Sequence, residues 1–285
     1  MKIKSTALSI ALLISIQAWA QLNFPNASPD AEFKQQVGFT SISVKYSRPG
    51  AKGRTIFGGV VPYGELWRTG AHDATTIEFS DTVELNDNSI PAGTYSLFTI
   101  PAKDEWTIIL NKTTEMHGTS EYTPEKDLVR FKAKAERSAR FYENFTIEVA
   151  DLIGDGANLY LIWENTQVKI KIQTNADEVV MAEINNRINI KKEDRASLFY
   201  QASMYYFNNK KDIKQSYEWI KTANLKSQDA MYLQLQGKIE ASLGDKEGAL
   251  KSLKASTELA KTKKLDQIIA TNEKLIESLN EKKNN

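Results

Sequence analysis

The sequence predicts an α+β chain: an antiparallel β-sandwich or jelly roll over residues 21–173, then an α-helical repeat domain over 174–285. Three observations predict it. Apolar residues alternate with polar ones in short segments as far as residue 173. Beyond that point the apolar spacing becomes three and four. Within this later stretch, small residues recur at matching places 33 residues apart, at Ser216 and Ala249. A period of two marks half-buried strands, and a period near 3.6 marks one face of a helix.

The strand signals come in order. Ile42, Val44 and Tyr46 share one face, as do Ile77 and Phe79, then Trp106, Ile108 and Leu110. Phe145, Ile147 and Val149 repeat the pattern, followed by Leu159, Leu161 and Trp163, and by Val168, Ile170 and Ile172. Turn residues separate them at Asn86-Asp87-Asn88, Pro91-Ala92-Gly93 and Gly154-Asp155-Gly156. Many short strands without intervening helices favour a sandwich or jelly roll.

In the helical stretch, Leu265, Ile268, Ile269, Leu275, Ile276 and Leu279 form one stripe. Gly244-Asp245 reads as a helix stop and an N-cap, and Asn208-Asn209 reads the same way a repeat earlier. Gly237 allows paired helices to approach closely. Helices are expected near 176–188 and 264–280 at the two ends. Residues 193–260 resemble tetratricopeptide repeats, whose period is about 34, and the resemblance implies a tetratricopeptide-like array of the kind that often presents a groove to a protein partner.

The first twenty residues have the form of a cleavable leader. Lys2 and Lys4 precede the apolar run Ala7–Ile16, and Ala18-Trp19-Ala20 fits cleavage before Gln21. The chain is therefore expected to be exported, periplasmic or secreted, with no transmembrane segment once the leader is removed. There is no cysteine, which excludes disulfides, thiol nucleophiles and thiolate metal sites. With 37 basic and 36 acidic side chains there is no polyanion-binding tail, and nucleic acid is not an expected partner. The triplet Asp81-Thr82-Val83 resembles the acceptor of the O-glycosylation that some exported bacterial proteins carry.

One segment is unlike an ordinary connection. Residues 47–76 hold six of the fourteen glycines, two prolines and a set of large apolar residues, so the loop is expected to pack. Arg48, Lys52, Arg54 and Arg68 bring cations next to glycine-exposed backbone, an arrangement suited to a carboxylate or phosphate. It is not a phosphate-binding P-loop, because Gly59-Val60 stands where Lys-Ser/Thr is required. Trp67, Thr69 and His72 complete the candidate ligand site, Trp67 as a ring on which a sugar could stack. Trp106 and Trp163 follow the core face of their strands and are expected inside.

Several strings in this region resemble a bacterial family of exported domains of unknown function, numbered 2911. They are Ser47-Arg48-Pro49, Lys52-Gly53-Arg54 with Ile56-Phe57-Gly58-Gly59, Pro62-Tyr63-Gly64, and Trp67-Arg68-Thr69-Gly70-Ala71 with Ala74-Thr75. Pro91 to Pro101 and Trp106 to Lys112 continue the likeness, which covers about residues 24–172. The resemblance implies an exported β-rich domain, often joined to helical repeats, and no assigned activity. Where the family typically reads Asn-Glu this chain has His72-Asp73, and the family often has another residue at His117. A histidine-based mechanism is therefore not one that the resemblance implies.

The expected function is binding: a small anionic or sugar-like ligand in the loop, and a protein on the helices. No pattern calls for a cofactor or a resident metal. A second expectation is an envelope hydrolase or metal-dependent enzyme using His72, His117 and a carboxylate such as Asp73, Glu115 or Glu121. No nucleophile elbow of Gly-x-Ser-x-Gly form exists to support a serine hydrolase. A third expectation is a purely structural envelope protein.

Overall fold

The structure, a computed structural model, describes residues 24–281. The expected leader and its cleavage position lie outside the described residues. The chain divides into two compact units, one up to Asn175 and one from Ala176.

The first unit has nine strands: β1 Asp30–Val37, β2 Thr40–Ser47, β3 Thr76–Phe79, β4 Val83–Leu85 and β5 Asn88–Ile90, then β6 Gly93–Ile100, β7 Glu105–Asn111, β8 Asp127–Ile153 and β9 Gly156–Thr174. All pairs are antiparallel, and the order is β1-β2-β3-β6-β7-β8-β9-β4-β5. The nine strands thus form one continuous antiparallel ladder. The cause is β8, which is 27 residues long. Its start, to Lys134, pairs with β7, and from Ala135 it pairs with β9. Strands from both ends of the order bury their inner faces in one apolar cluster, from Val44 and Ile77 to Leu85 and Ile170.

The two apolar runs at 159–163 and 168–172 are one strand, not two. They differ in parity, odd then even, because the ladder slips at Glu164, whose φ is +50°. The surplus residues of that slip lie on β8, whose Arg137–Tyr142 stretch faces only Glu164–Thr166, while the left-handed residue interrupts the alternation of β9 itself. The edge strand β1 carries only half-buried apolar residues and ends on the buried Val37, a weak alternation. Among the described residues no helix is long and apolar enough to cross a membrane.

The second unit is helical: α1 Ala176–Ile184, a π-helix over Asn185–Ile190, α2 Ala196–Asn208, α3 Ile213–Lys226, α4 Ala230–Leu243, α5 Lys246–Thr262 and α6 Asp266–Glu281. Antiparallel neighbours pack as α2 on α3 and α4 on α5. Gly244 ends α4 in the left-handed region, φ +86°, and the Asp245 side chain accepts from Gly248 N. At the corresponding place before α3 the cap is Asp212, which accepts from Lys214 N and Gln215 N, rather than Asn209. Ser216 and Ala249 are both fully buried at the helix pairings. A Cβ on Gly237 would stand 2.7 Å from Leu253 Cγ, so only glycine lets α4 lie this close to α5. The aromatic stripe is interhelical packing, with Tyr206 edge-on to Trp219 and Tyr200 stacked on Tyr232.

Glu193 precedes α2 and accepts from both Arg187 and Arg195. Those two guanidiniums pull its carboxyl down from 4.5 to about 2. A depressed carboxyl stabilises the fold fully above its unfolded pKa and loses that contribution as pH falls toward the folded value. Acid unfolding of the helical unit is therefore expected to steepen between about pH 4.5 and 2. Glu193→Gln should flatten the curve in that window, followed by far-UV circular dichroism.

Candidate functional site

The 48–75 segment runs between β2 and β3 and is fastened to β8 mostly through the backbone. Ala51 N donates to Glu143 O at 2.7 Å, and Phe145 N donates to Pro49 O at 2.9 Å. Arg48 spends its guanidinium on Phe145 O (3.1 Å) and Thr146 Oγ1 (2.8 Å). Arg54 closes on the carbonyls of Gly50 and Ala51 at 2.8 and 3.1 Å. The Lys52 backbone donates to Glu143 Oε1 at 2.7 Å. The N–H groups of Gly58, Gly59 and Val60 bond carbonyls of Val61, Ile56 and Thr55 within the same turn. Most of the donors that could hold an anion are thus committed internally. Arg68 differs: its Nε is buried with no partner among the described residues.

Trp67 is 8 % exposed and belongs to the core. Its ring stacks on Trp163 at 5.9 Å and meets Phe145 edge-on at 5.0 Å, with Trp106 and Phe57 completing the cluster. Trp67 Nε1 donates to Gly70 O, and the Thr75 hydroxyl donates to Thr69 O at 2.6 Å. These bonds hold a turn whose buried Thr69 and exposed His72 both have φ +57°. A β-branched residue in that region costs about 1–3 kcal/mol and persists only where its surroundings fix it.

The turn delivers the next residues to a cleft. Asp73 pairs with His117 as an antiparallel bridge, flanked by Ala74 N to Met116 O (2.9 Å) and Gly118 N to His72 O (3.1 Å). This short ribbon lines a cleft of about 780 Å³, together with Asp30 and Glu32 of β1 and Lys45 and Ser47 of β2. Glu115 and Glu121 complete a lining of five carboxylates against Lys45 and His117. Asp30 accepts from the Ser47 hydroxyl at 2.6 Å, Glu32 lies 3.4 Å from Lys45 Nζ, and Asp73 lies 2.8 Å from His117 Nδ1. Glu115 and Glu121 have no hydrogen bond or ion pair among the described residues. Field lines from one sign of charge concentrate in such a concavity and draw in the opposite sign.

The segment bearing Glu115, His117 and Glu121 is held down by Asp127 at the start of β8. That carboxylate accepts from Asn111 Nδ2 (2.8 Å), Tyr122 Oη (2.7 Å) and Arg130 Nε (2.6 Å). Burial and the Asp127 carboxylate push the Tyr122 hydroxyl up to about 12, against the opposing pull of Arg130. Beneath it, Met116 and the Tyr122 ring cover Phe98 and Ile109 on the outer face of the sheet.

The sheet unit matches the family model described as a protein of unknown function, DUF2911, over residues 28–172. The chain belongs to the DUF2911 family. No curated protein and no solved structure matches it. Within this DUF2911 domain the signature strings serve the site in two ways. Trp67–Thr75 forms the fixed turn that sets Asp73, while β6 and β7 form the floor under Met116.

Of the residues that sequence reasoning singled out in the DUF2911 domain, Asp73, Glu115, His117 and Glu121, named around the two histidines, line the cleft, and none of Arg48, Lys52, Arg54, Trp67, Arg68, Thr69 and His72 does. His72 sits beside it, its Nε2 3.1 Å from Asn26 Oδ1. Among the described residues no group of three or more His, Asp or Glu is arranged to hold a metal ion. Asp30, Glu32 and Lys45 went unnoticed because outward residues of any strand read as solvated. Only the pairing of β1 with β2 and the bridge at Asp73 bring them together.

Proposed function

We propose that the protein is an exported binding protein whose ligand site is the carboxylate-lined cleft. The ligand is a small molecule rich in hydrogen-bond donors and bearing positive charge, such as an amino sugar or a polyamine. One observation carries this reading: five carboxylates, two of them without partners, face one cleft walled by the DUF2911 turn. Carboxylates accept from hydroxyl and ammonium donors but offer nothing to an anion. The charge therefore favours the sugar-like side of the sequence expectation over the anionic side.

The test is calorimetric titration of the purified protein with amino sugars, polyamines, neutral sugars and organic acids. Amine-bearing compounds are expected to bind, more weakly as salt rises. The double variant Glu115→Gln, Glu121→Gln should lose most of that affinity. Binding confined to organic acids, and lost in Arg54→Ala or Arg68→Ala, would return the site to the arginine-rich loop.

A hydrolytic reading is favoured by one observation. Asp73 holds His117 by Nδ1 and leaves Nε2 without a partner among the described residues, the arrangement of an oriented general base. Turnover abolished by both Asp73→Asn and His117→Gln would support it. At finer grain, the nine-stranded ladder reads as a sandwich of jelly-roll type, and the helical pairs as tetratricopeptide-like hairpins that take a protein partner. The matching caps at Asp212 and Asp245 and the close pairing at Gly237 support the repeat.

A further inference from the structure

We propose that Thr82 is an O-glycosylation site. It lies outside the cleft, and the proposal rests on the chain being exported. Asp81-Thr82 is the only Asp-Ser or Asp-Thr pair in the sequence. The structure places it in the bend between β3 and β4, where both flanks are anchored: Phe79 and Val83 are each 1 % exposed. Asp81 and Thr82 between them are exposed, and the Thr82 hydroxyl has no hydrogen-bond partner among the described residues.

The neighbouring acid is held in place. Ser80 and Ser41 exchange two bonds, Ser80 N to Ser41 O at 3.0 Å and Ser41 N to Ser80 Oγ at 2.8 Å. The Ser80 hydroxyl in turn donates to Asp81 Oδ2 at 2.7 Å, leaving Oδ1 for a transferase. A glycan on the Thr82 oxygen would project into solvent and displace no packed group. Val83 is the reverse case, since it sits in the core and pairs with Ile90 and Thr174. A transferase that reads the aliphatic third residue must therefore act before β4 docks on β9. One that reads only Asp81 and Thr82 can act on the folded chain.

The donor is a sugar activated through a phosphate ester at its anomeric carbon. Thr82 Oγ1 attacks that carbon, the C–O bond to phosphate breaks, and the phosphate leaves with the bonding electrons. The hydroxyl proton passes to a base of the transferase. The fold fixes the acceptor, and the enzyme supplies the chemistry.

The test is the intact mass of the full chain, produced in its own source cell and recovered after leader removal, with peptide mapping. The expected result is a mass above the bare chain by whole glycosyl residues, all on the peptide holding Thr82. Thr82→Ala should abolish the increment, Thr82→Ser should keep it, and Asp81→Asn should reduce it. Should the native leader fail to carry the chain out, the same measurement is made behind a proven leader of that cell. A bare mass on the exported chain, or an increment on another residue that survives Thr82→Ala, overturns the proposal.

Discussion

Trp67→Ala is expected to cost the sheet unit about 3–5 kcal/mol, the range for removing a buried tryptophan. The ring is wedged between Trp163 and Phe145 and touches Phe57 and Trp106, so its loss opens a void bordered by four other aromatics. The indole N–H to Gly70 O also disappears, and with it one of the bonds that hold Thr69 at positive φ. Interior side chains cannot collapse freely into such a void, because close packing leaves them few alternative positions. Denaturant unfolding monitored by the remaining tryptophans should show a lower midpoint, and Trp67→Phe should restore some of the difference. A variant of near-native stability that had lost ligand affinity would instead place the ring in the ligand's path.

Asp127→Ala should cost roughly 2–4 kcal/mol and release the cleft wall, because removing a nearly buried carboxylate strands the donors that served it. Asp127 is only 9 % exposed at its side chain and takes three donors. Asn111 is fully buried, and without the carboxylate its Nδ2 keeps only the Thr123 carbonyl. Arg130 and the Tyr122 hydroxyl, 2.6 Å apart, retain each other but no anion. Hydrogen exchange is expected to quicken across residues 112–126 before the strands themselves respond. Ligand affinity in the cleft should fall with it, since Glu115, His117 and Glu121 ride on that segment. Asp127→Asn keeps an acceptor and is expected to show a smaller effect on both measurements.

The residue types that repeat made most of the architecture legible. Ile42, Val44 and Tyr46 alternate because one face of β2 is buried, and the stripe from Ile268 to Leu279 follows the half-buried face of α6, while Leu265 stands exposed before it. Gly244-Asp245 announced a helix boundary because left-handed backbone and an N-cap each select few residues. The bulge at Glu164 hid the continuity of β9, since a parity change imitates a new strand. Asn272 shows a different limit. It is the one fully buried residue of α6, satisfied by Ser256, Thr257 and Gln234, yet an apolar-stripe reading passes over it. The candidate site was legible in part: Asp73, Glu115, His117 and Glu121 were named around the two histidines, while Asp30, Glu32 and Lys45 were not. Its carboxylates come from β1, from the turn after Gly70 and from the segment before β8, and no local pattern links three such distant stretches. The loop rich in arginine and glycine attracted attention through composition, but most of its donors turned out to be fasteners.

The long strand β8 also governs the order in which the chain can become itself. Strand β4, which follows β3 closely, pairs with β5 on one side and finds its other partner only in the last residues of β9, at Ile172 to Thr174. A chain emerging from its N-terminus therefore carries the β4–β5 hairpin with one side unsatisfied until almost the whole first unit is out. Pairings this distant pay loop-closure entropy before any contact compensates them, and they fold slowly. The hairpin is thus the stretch most available to a passing enzyme, chaperone or neighbouring chain during synthesis. Arrival of residue 174 ends that interval, and the exposed Thr82 bend is what remains of it at the surface.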